Sequence, residues 1–274
     1  MSILELEVIQ NYVRTCNDGW LQNWHERNGG NLTYLMNEEE VALCRPYFKE
    51  TPGEWVKMDV QADNLKNTYF LSTGSGKYFR NVILAPQDNI CILEINDAGD
   101  SWRIVWGLEK GGKPTSEFPS HFLNHSVRLK ATNGKNRVIY HAHPGNLIAM
   151  TYILRLTSCN FSRALWQSAT ECPVVFPQGV GVVEWMVPGG RDIALATSEL
   201  MAEFPAVVWA HHGLFVSGQD LDEAFGLMHT IENAARIFML VTSSGMPIMQ
   251  TITDADIRAI ARDFGITVRE DFLN

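Results

Sequence analysis

Residues 137–143, Arg-Val-Ile-Tyr-His-Ala-His, carry the plainest chemical signal in the chain. Val138, Ile139 and Tyr140 favour a strand, and strand side chains alternate faces, so His141 and His143 point the same way. Two residues of rise set their Cβ atoms roughly 6.5–7 Å apart, which lets two imidazoles close on one ion at about 2.0–2.1 Å per bond. A third histidine would complete a three-ligand set with open positions, the pattern of catalytic zinc. Taken alone, the pair reads equally well as surface or hydrogen-bonded histidines. There are eight histidines in all, at 25, 121, 125, 141, 143, 211, 212 and 229. Two sets compete for a metal. One adds His211 or His212 to the pair; adjacent strand residues face opposite sides, so only one of the two joins. The other is Glu117, His121 and His125, spaced i, i+4, i+8 along one helix face, a spacing that also arises as an ordinary polar flank.

Polar glycine turns offer a second kind of chemistry. Asn28-Gly29-Gly30-Asn31 follows a predicted helix, and Thr73-Gly74-Ser75-Gly76-Lys77 follows a predicted strand. Glycines let a loop bring backbone N–H groups close to an anion, and Ser or Asn adds donors. Thr115-Ser116 heads a predicted helix and could add its N-terminus to the same phosphate or carboxylate. Each turn alone is an ordinary connection, and spacing does not show that the three meet. Other motifs are missing. There is no HExxH, no GxSxG and no CxxC, and Gly74-Ser75-Gly76 completes neither the dinucleotide fingerprint nor a P-loop.

The elements that must position these residues follow from periodicity and punctuation. An amphipathic helix is expected over 3–26, stopped by Asn28-Gly29-Gly30. Strands are expected over 31–36 and 68–73, with an irregular insert at 37–66. Residues 90–95 and 101–107 flank Asn96-Asp97-Ala98-Gly99-Asp100 as a hairpin. Helices are expected over 116–131, 146–156, 220–242 and 253–263, and an apolar strand over 206–210. Hairpins mixed with helices argue a layered α/β or α+β arrangement. Nothing resembles an interdomain linker, so one domain over 1–274 is expected.

Bulk properties narrow the function classes. The formal charge of −9 with no basic block argues against a nucleic-acid partner. No apolar run approaches the ~20 residues of a membrane span. The acidic N-terminus lacks the positive charge of a secretory signal. Five scattered cysteines (16, 44, 91, 159, 172) fit unpaired thiols in a reducing cytoplasm.

The ordered set Asn28-Gly29-Gly30-Asn31, Thr73-Gly74-Ser75-Gly76-Lys77, Thr115-Ser116-Glu117, His141-Ala142-His143 and His212-Gly213 resembles the class II aldolase/adducin family, zinc-dependent enzymes acting on small sugar phosphates. Stretches 26–33, 130–135 and 185–189 are similar to members that cleave L-rhamnulose 1-phosphate. The resemblance runs from about residue 8 to the C-terminal helix and is weakest over 37–66. It implies a single-domain layered α/β fold with a central, mostly antiparallel sheet flanked by helices. It makes His141, His143 and His212 the ligands of one Zn2+ per subunit, with His211 the non-ligand neighbour. Glu117 falls on the family's catalytic glutamate. Asn28, Asn31, Ser75 and Ser116, with the backbone of Gly30 and Gly76, fall where the substrate phosphate is held. Glu171, from a neighbouring subunit of a homotetramer with sites at subunit contacts, falls on a second catalytic carboxylate. The implied reaction is retro-aldol cleavage of L-rhamnulose 1-phosphate to dihydroxyacetone phosphate and L-lactaldehyde, in L-rhamnose catabolism. Breaking C3–C4 leaves an enediolate, which a Lewis-acidic zinc stabilises, while Glu117 serves the carbon-side proton and Glu171 the C4 oxygen. Another sugar-phosphate aldolase, or a pentulose-phosphate epimerase, would use the same zinc and turns. A non-catalytic adducin-type domain would have no need of the three histidines and Glu117, all of which are kept.

Overall fold

The computed structural model describes residues 2–274. Among them nine strands form: β1 (Asn31–Leu35), β2 (Val56–Lys57), β3 (Tyr69–Thr73), β4 (Ile90–Ile95), β5 (Ser101–Gly107), β6 (Val138–Ala142), β7 (Gly181–Val183), β8 (Ala206–Trp209) and β9 (Gly213–Gly218). They join one sheet in the order β2-β5-β4-β3-β1-β6-β9-β8-β7. Every pair is antiparallel except β7 with β8. The mostly antiparallel sheet expected from the sequence is therefore present, and the histidine strand β6 lies near its middle, between β1 and β9.

Eleven α-helices cover this sheet: α1 (Glu7–Leu21), α2 (Glu38–Cys44), α3 (Phe79–Val82), α4 (Pro86–Asn89), α5 (Phe118–Ala131), α6 (Gly145–Met150), α7 (Ser158–Trp166), α8 (Cys172–Val175), α9 (Arg191–Met201), α10 (Leu221–Ser243) and α11 (Asp254–Phe264). Strand parity decides what each covers. Leu32 and Tyr34 of β1, with Val138, Tyr140 and Ala142 of β6, enter the largest core cluster with residues of α1, α6, α7 and α10. The alternate residues face α5 and α9. There the core is split in two: Leu35 and Phe70 pack with Phe118 and Phe122 of α5, while Ile139 and Phe215 pack with Ile193 and Met201 of α9. Between the two patches lies a row of buried polar side chains. His125 meets Phe70 edge-on at 5.0 Å on one side, and His121 meets Phe215 at 5.3 Å on the other. Covering both faces explains why β1 and β6 are buried at every position rather than alternating.

Several expectations need correction. The first helix stops at Leu21, not 26, because Asn23 takes a left-handed backbone (φ 61°) that turns Trp24 and His25 into the core as loop residues. The stretch 37–66 is only partly irregular. It opens with α2, capped reciprocally by Asn37 and Glu40, a capping box that was present in the sequence. The helix expected over 146–156 ends at Met150. Helices α7 and α9 and strand β9 were not anticipated. The 96–100 hairpin joins β4 and β5 as expected, its turn held by the Asn96 side chain accepting from the backbone N–H of Asp100 and Ser101.

Candidate metal centre

His141, His143 and His212 each offer one nitrogen, and these three atoms lie within 4.8 Å of one another. The ring centroids form a nearly equilateral triangle: 5.1 Å from 141 to 143, 5.0 Å from 141 to 212 and 4.9 Å from 143 to 212. Local folding puts each ring there. His141 is buried in β6 and stacks on its cross-strand partner Phe215 at 4.2 Å. Its Nδ1 lies 3.1 Å from the Leu214 carbonyl, an acceptor only, so Nδ1 carries the proton and Nε2 holds a bare lone pair. His143 sits one residue beyond β6, its N–H on the Trp24 carbonyl at 3.0 Å and its Nδ1 2.7 Å from Glu26 Oε1. That carboxylate fixes the ring as an outer-shell partner does for a metal-bound histidine. The Nε2 atoms of both rings are buried without any hydrogen-bond partner. Orphaned buried acceptors of this kind call for an explanation, and a cation shared by the three rings supplies it.

His211 and His212 separate as expected, for a different reason. They are not strand residues but lie in the three-residue loop between Trp209 and Gly213, which pair across β8 and β9. His211 adopts φ 60° and turns to Thr151 and the Tyr152 ring, leaving His212 to the cluster. Burial lowers the proton affinity of His141 far below the usual imidazole range and brings His212 to about 4, neighbouring His143 adding to both effects. Neutral imidazoles are the form that binds a metal.

Gly213 admits no side chain. A Cβ there would press on the Ala142 carbonyl oxygen and sit 3.0 Å from His143 Cδ2 and 3.1 Å from His141 Cε1. Gly213→Ala is therefore expected to cost about 1–3 kcal/mol of stability, as overpacking does, and to weaken metal retention. Thermal unfolding and competition with a chromogenic chelator check both; unchanged retention would mean that the rings tolerate displacement.

The competing set dissolves. His121 and His125 are fully buried, and each places a ring nitrogen 2.8 Å from Thr33 Oγ1. Glu117 joins the histidine cluster instead. It is the residue preceding α5, mostly buried, with Oε2 3.8 Å from His141 Nε2 and accepting from Asn31 Nδ2 at 2.9 Å. Desolvation raises its proton affinity, partly opposed by the Asn31 hydrogen bond and by His143.

The three polar turns meet at one end of the sheet. β1 begins at Asn31 and β3 ends at Thr73 on neighbouring strands, with the Leu32 N–H on Thr73 Oγ1 at 3.2 Å. Gly74 bridges Pro114, Ser75 N–H donates to the Lys113 carbonyl at 2.8 Å, and Thr115 N–H donates to the Thr73 carbonyl at 2.8 Å. Asn28, Ser75, Gly76 and Ser116 are exposed, while Gly30 is half-buried. Gly30 takes φ +72°, and a Cβ there would lie 2.7 Å from the His141 carbonyl oxygen, so the turn needs glycine. Asn31 is buried with one N–H committed to Glu117, leaving the other free by valence. Glu171, exposed at the head of α8, shares no hydrogen bond or ion pair with the cluster.

Two positioning groups escaped the sequence reading. Glu26 orients His143. His25, buried and held neutral with its pKa lowered to about 3 chiefly by burial, lies between the Gly29 carbonyl at 3.0 Å and the Tyr140 hydroxyl at 2.6 Å, stacked on Phe79 at 3.6 Å. It braces the 26–31 turn. The only sequence signal was the adjacency of both residues to Asn28-Gly29-Gly30.

Residues 10–239 match the model of the Class II Aldolase and Adducin N-terminal domain. The chain is 43% identical over 275 residues to a protein of Listeria innocua named rhamnulose-1-phosphate aldolase, covering 99% of this chain and 98% of that one. It is 45% identical over 259 residues to one of the same name from Escherichia coli O1:K1, covering 94% of each. Among solved structures, a sugar-phosphate aldolase from Thermotoga maritima superposes with a TM-score of 0.74 at 28% identity, over 89% of this chain and 98% of that one.

Proposed function

The chain belongs to the class II aldolase and adducin family, and from that membership we propose that it cleaves L-rhamnulose 1-phosphate to dihydroxyacetone phosphate and L-lactaldehyde, in L-rhamnose catabolism. The observation that carries the substrate is the likeness, over nearly the whole chain, to proteins named for that activity. The reaction type is supported independently by the cluster of three imidazoles beside a mostly buried carboxylate.

The donor set fits zinc: three nitrogens, buried orphan lone pairs and rings oriented from behind. A bound ion held by His141, His143 and His212 supplies Lewis acidity to the substrate's oxygens. The rest falls to the chain. Asn28, Ser75 and Ser116, with the backbone of Gly30 and Gly76 and the spare N–H of Asn31, hold the phosphate and so fix where C3 and C4 stand. Positioning of this sort lowers barriers by several kcal/mol. In cleavage the C4 hydroxyl proton must leave as C3–C4 breaks, and the three-carbon fragment must gain a proton at carbon. Glu117, whose burial raises its proton affinity, takes the second role in this reading. Glu171, supplied by a neighbouring subunit, takes the first.

The same reading entails one catalytic domain over 1–274, one Zn2+ per subunit, a homotetramer with sites at subunit contacts and a cytoplasmic location. The five cysteines are free, which fits a reducing compartment; among the described residues no helix is long and apolar enough to cross a membrane.

The test is a retro-aldol assay of the zinc-loaded protein, coupled to detection of dihydroxyacetone phosphate. L-Rhamnulose 1-phosphate should be cleaved fastest among ketose 1-phosphates, and pentulose 5-phosphates should not be epimerised. Preference for another ketose, or epimerisation, overturns the assignment. Mixed oligomers of Glu171→Gln and His143→Ala subunits should recover activity that neither parent has; mixed assemblies that stay inactive argue that Glu171 acts within its own subunit or not at all.

A further inference from the structure

A continuous hydrogen-bonded row leads from Glu117 into the interior, and its direction follows from the carboxylate at its head. The Glu117 carboxylate only accepts, so Asn31 turns its N–H toward it and its oxygen away. That oxygen meets His121 Nε2, which must therefore donate. A neutral imidazole has one N–H, so His121 Nδ1 is an acceptor and the Thr33 hydroxyl, 2.8 Å away, donates to it. With its single proton spent, Thr33 Oγ1 accepts from His125 Nε2, also at 2.8 Å. The row ends at His125 Nδ1, buried with no partner. Burial favours the neutral form of both histidines. Thr33, His121 and His125 are wholly buried.

We propose that Thr33 and His121 are positioning residues for the reaction: they lock the Asn31 carboxamide with its N–H toward Glu117 and hold that carboxylate beside the histidine cluster. Without the Thr33 proton, His121 can turn over its tautomer, Asn31 can flip, and an amide oxygen then faces a carboxylate. The parity of β1 makes the arrangement possible, since Asn31 and Thr33 both face α5, opposite His141 and Ile139 of β6.

This inference rests on the reading of Glu117 as a proton-transfer group, and the experiment separates the two. Steady-state cleavage of L-rhamnulose 1-phosphate is compared among zinc-loaded wild type, Thr33→Val, Thr33→Ser and Glu117→Gln, each normalised to bound zinc. Thr33→Val keeps the shape and removes the hydroxyl. It should lower kcat by about 10–100-fold, the usual effect of an outer-shell partner, with KM and zinc content within about twofold of wild type. Thr33→Ser should restore kcat. A purely structural role would lower stability in Thr33→Val but leave kcat per bound zinc intact, and that result overturns the inference. Should Thr33→Val fail to fold, His121→Gln against His121→Leu asks the same question, because Gln retains an N–H for the Asn31 oxygen; equal kcat in the two overturns it. Inactive Glu117→Gln beside fully active Thr33→Val sinks the inference alone, whereas active Glu117→Gln removes the reading beneath it.

Discussion

Glu117→Gln is expected to lower turnover by about 10²–10⁴-fold, the range for loss of one positioned acid or base, while zinc content stays at that of the wild type. Gln preserves the length and an oxygen to accept the Asn31 N–H, so the loop before α5 has no reason to move. What disappears is a group able to take and return a proton. The wild-type carboxyl suits that exchange, because burial raises its proton affinity and only Asn31 and His143 counter the rise. Elemental analysis alongside turnover decides the case. Simultaneous loss of zinc and activity would make Glu117 a required ligand, and retained activity would move the proton transfer to another group.

Removal of the metal should be damaging on a similar scale. Lewis-acid stabilisation is worth several kcal/mol, and each 1.36 kcal/mol is tenfold in rate, so a chelated protein should turn over about 10³-fold slower or worse. Zinc should restore it. The same site should report on folding: an ion at about 1,000 times its Kd adds ~4 kcal/mol to the folded state, visible as a rise in Tm on zinc addition. His143→Ala should abolish both the recovery and most of the Tm rise. A chelated protein that remains active, or a Tm indifferent to zinc, would rule out the three-histidine site as the working centre.

How far the sequence led depended on whether a feature was local. The parity of His141 and His143 follows from β-branched and aromatic neighbours that favour a strand, and β6 extends only one residue short of His143. The partition of His211 from His212 was expected on strand parity, yet a left-handed loop residue produces it; resemblance, not periodicity, chose His212. The meeting of the three polar turns was illegible, because it depends on β1 pairing with β3 and on the Gly74–Pro114 bridge, contacts between residues far apart in sequence. Strand β9 was missed although Leu214-Phe215-Val216 is an apolar, β-favouring run between Gly213 and Gly218. α2 was missed although Asn37 and Glu40 spelled out its cap. Glu26 and His25 fell at the end of the helix expected over 3–26, and their partners, His143, the Gly29 carbonyl and the Tyr140 hydroxyl, reach them through contacts that no local pattern shows. The reading of Glu117 with His121 and His125 as one helix face was half right: all three act near one place, but one touches the centre and two stand behind it.

The row of polar side chains dividing the apolar core under α5 and α9 also bears on how this protein can change over generations. Substitutions around Phe70 and Phe122, and others around Ile193 and Phe215, fall in patches that share no apolar contact network, and changes at separated sites add with little interaction. Each patch is thus free to drift in composition without forcing the other to follow. The strip between them has no such latitude, since every member bonds to the next and the last bonds to Glu117. Substitutions on either side can therefore retune stability without disturbing the hydrogen-bonded band that ends on Glu117.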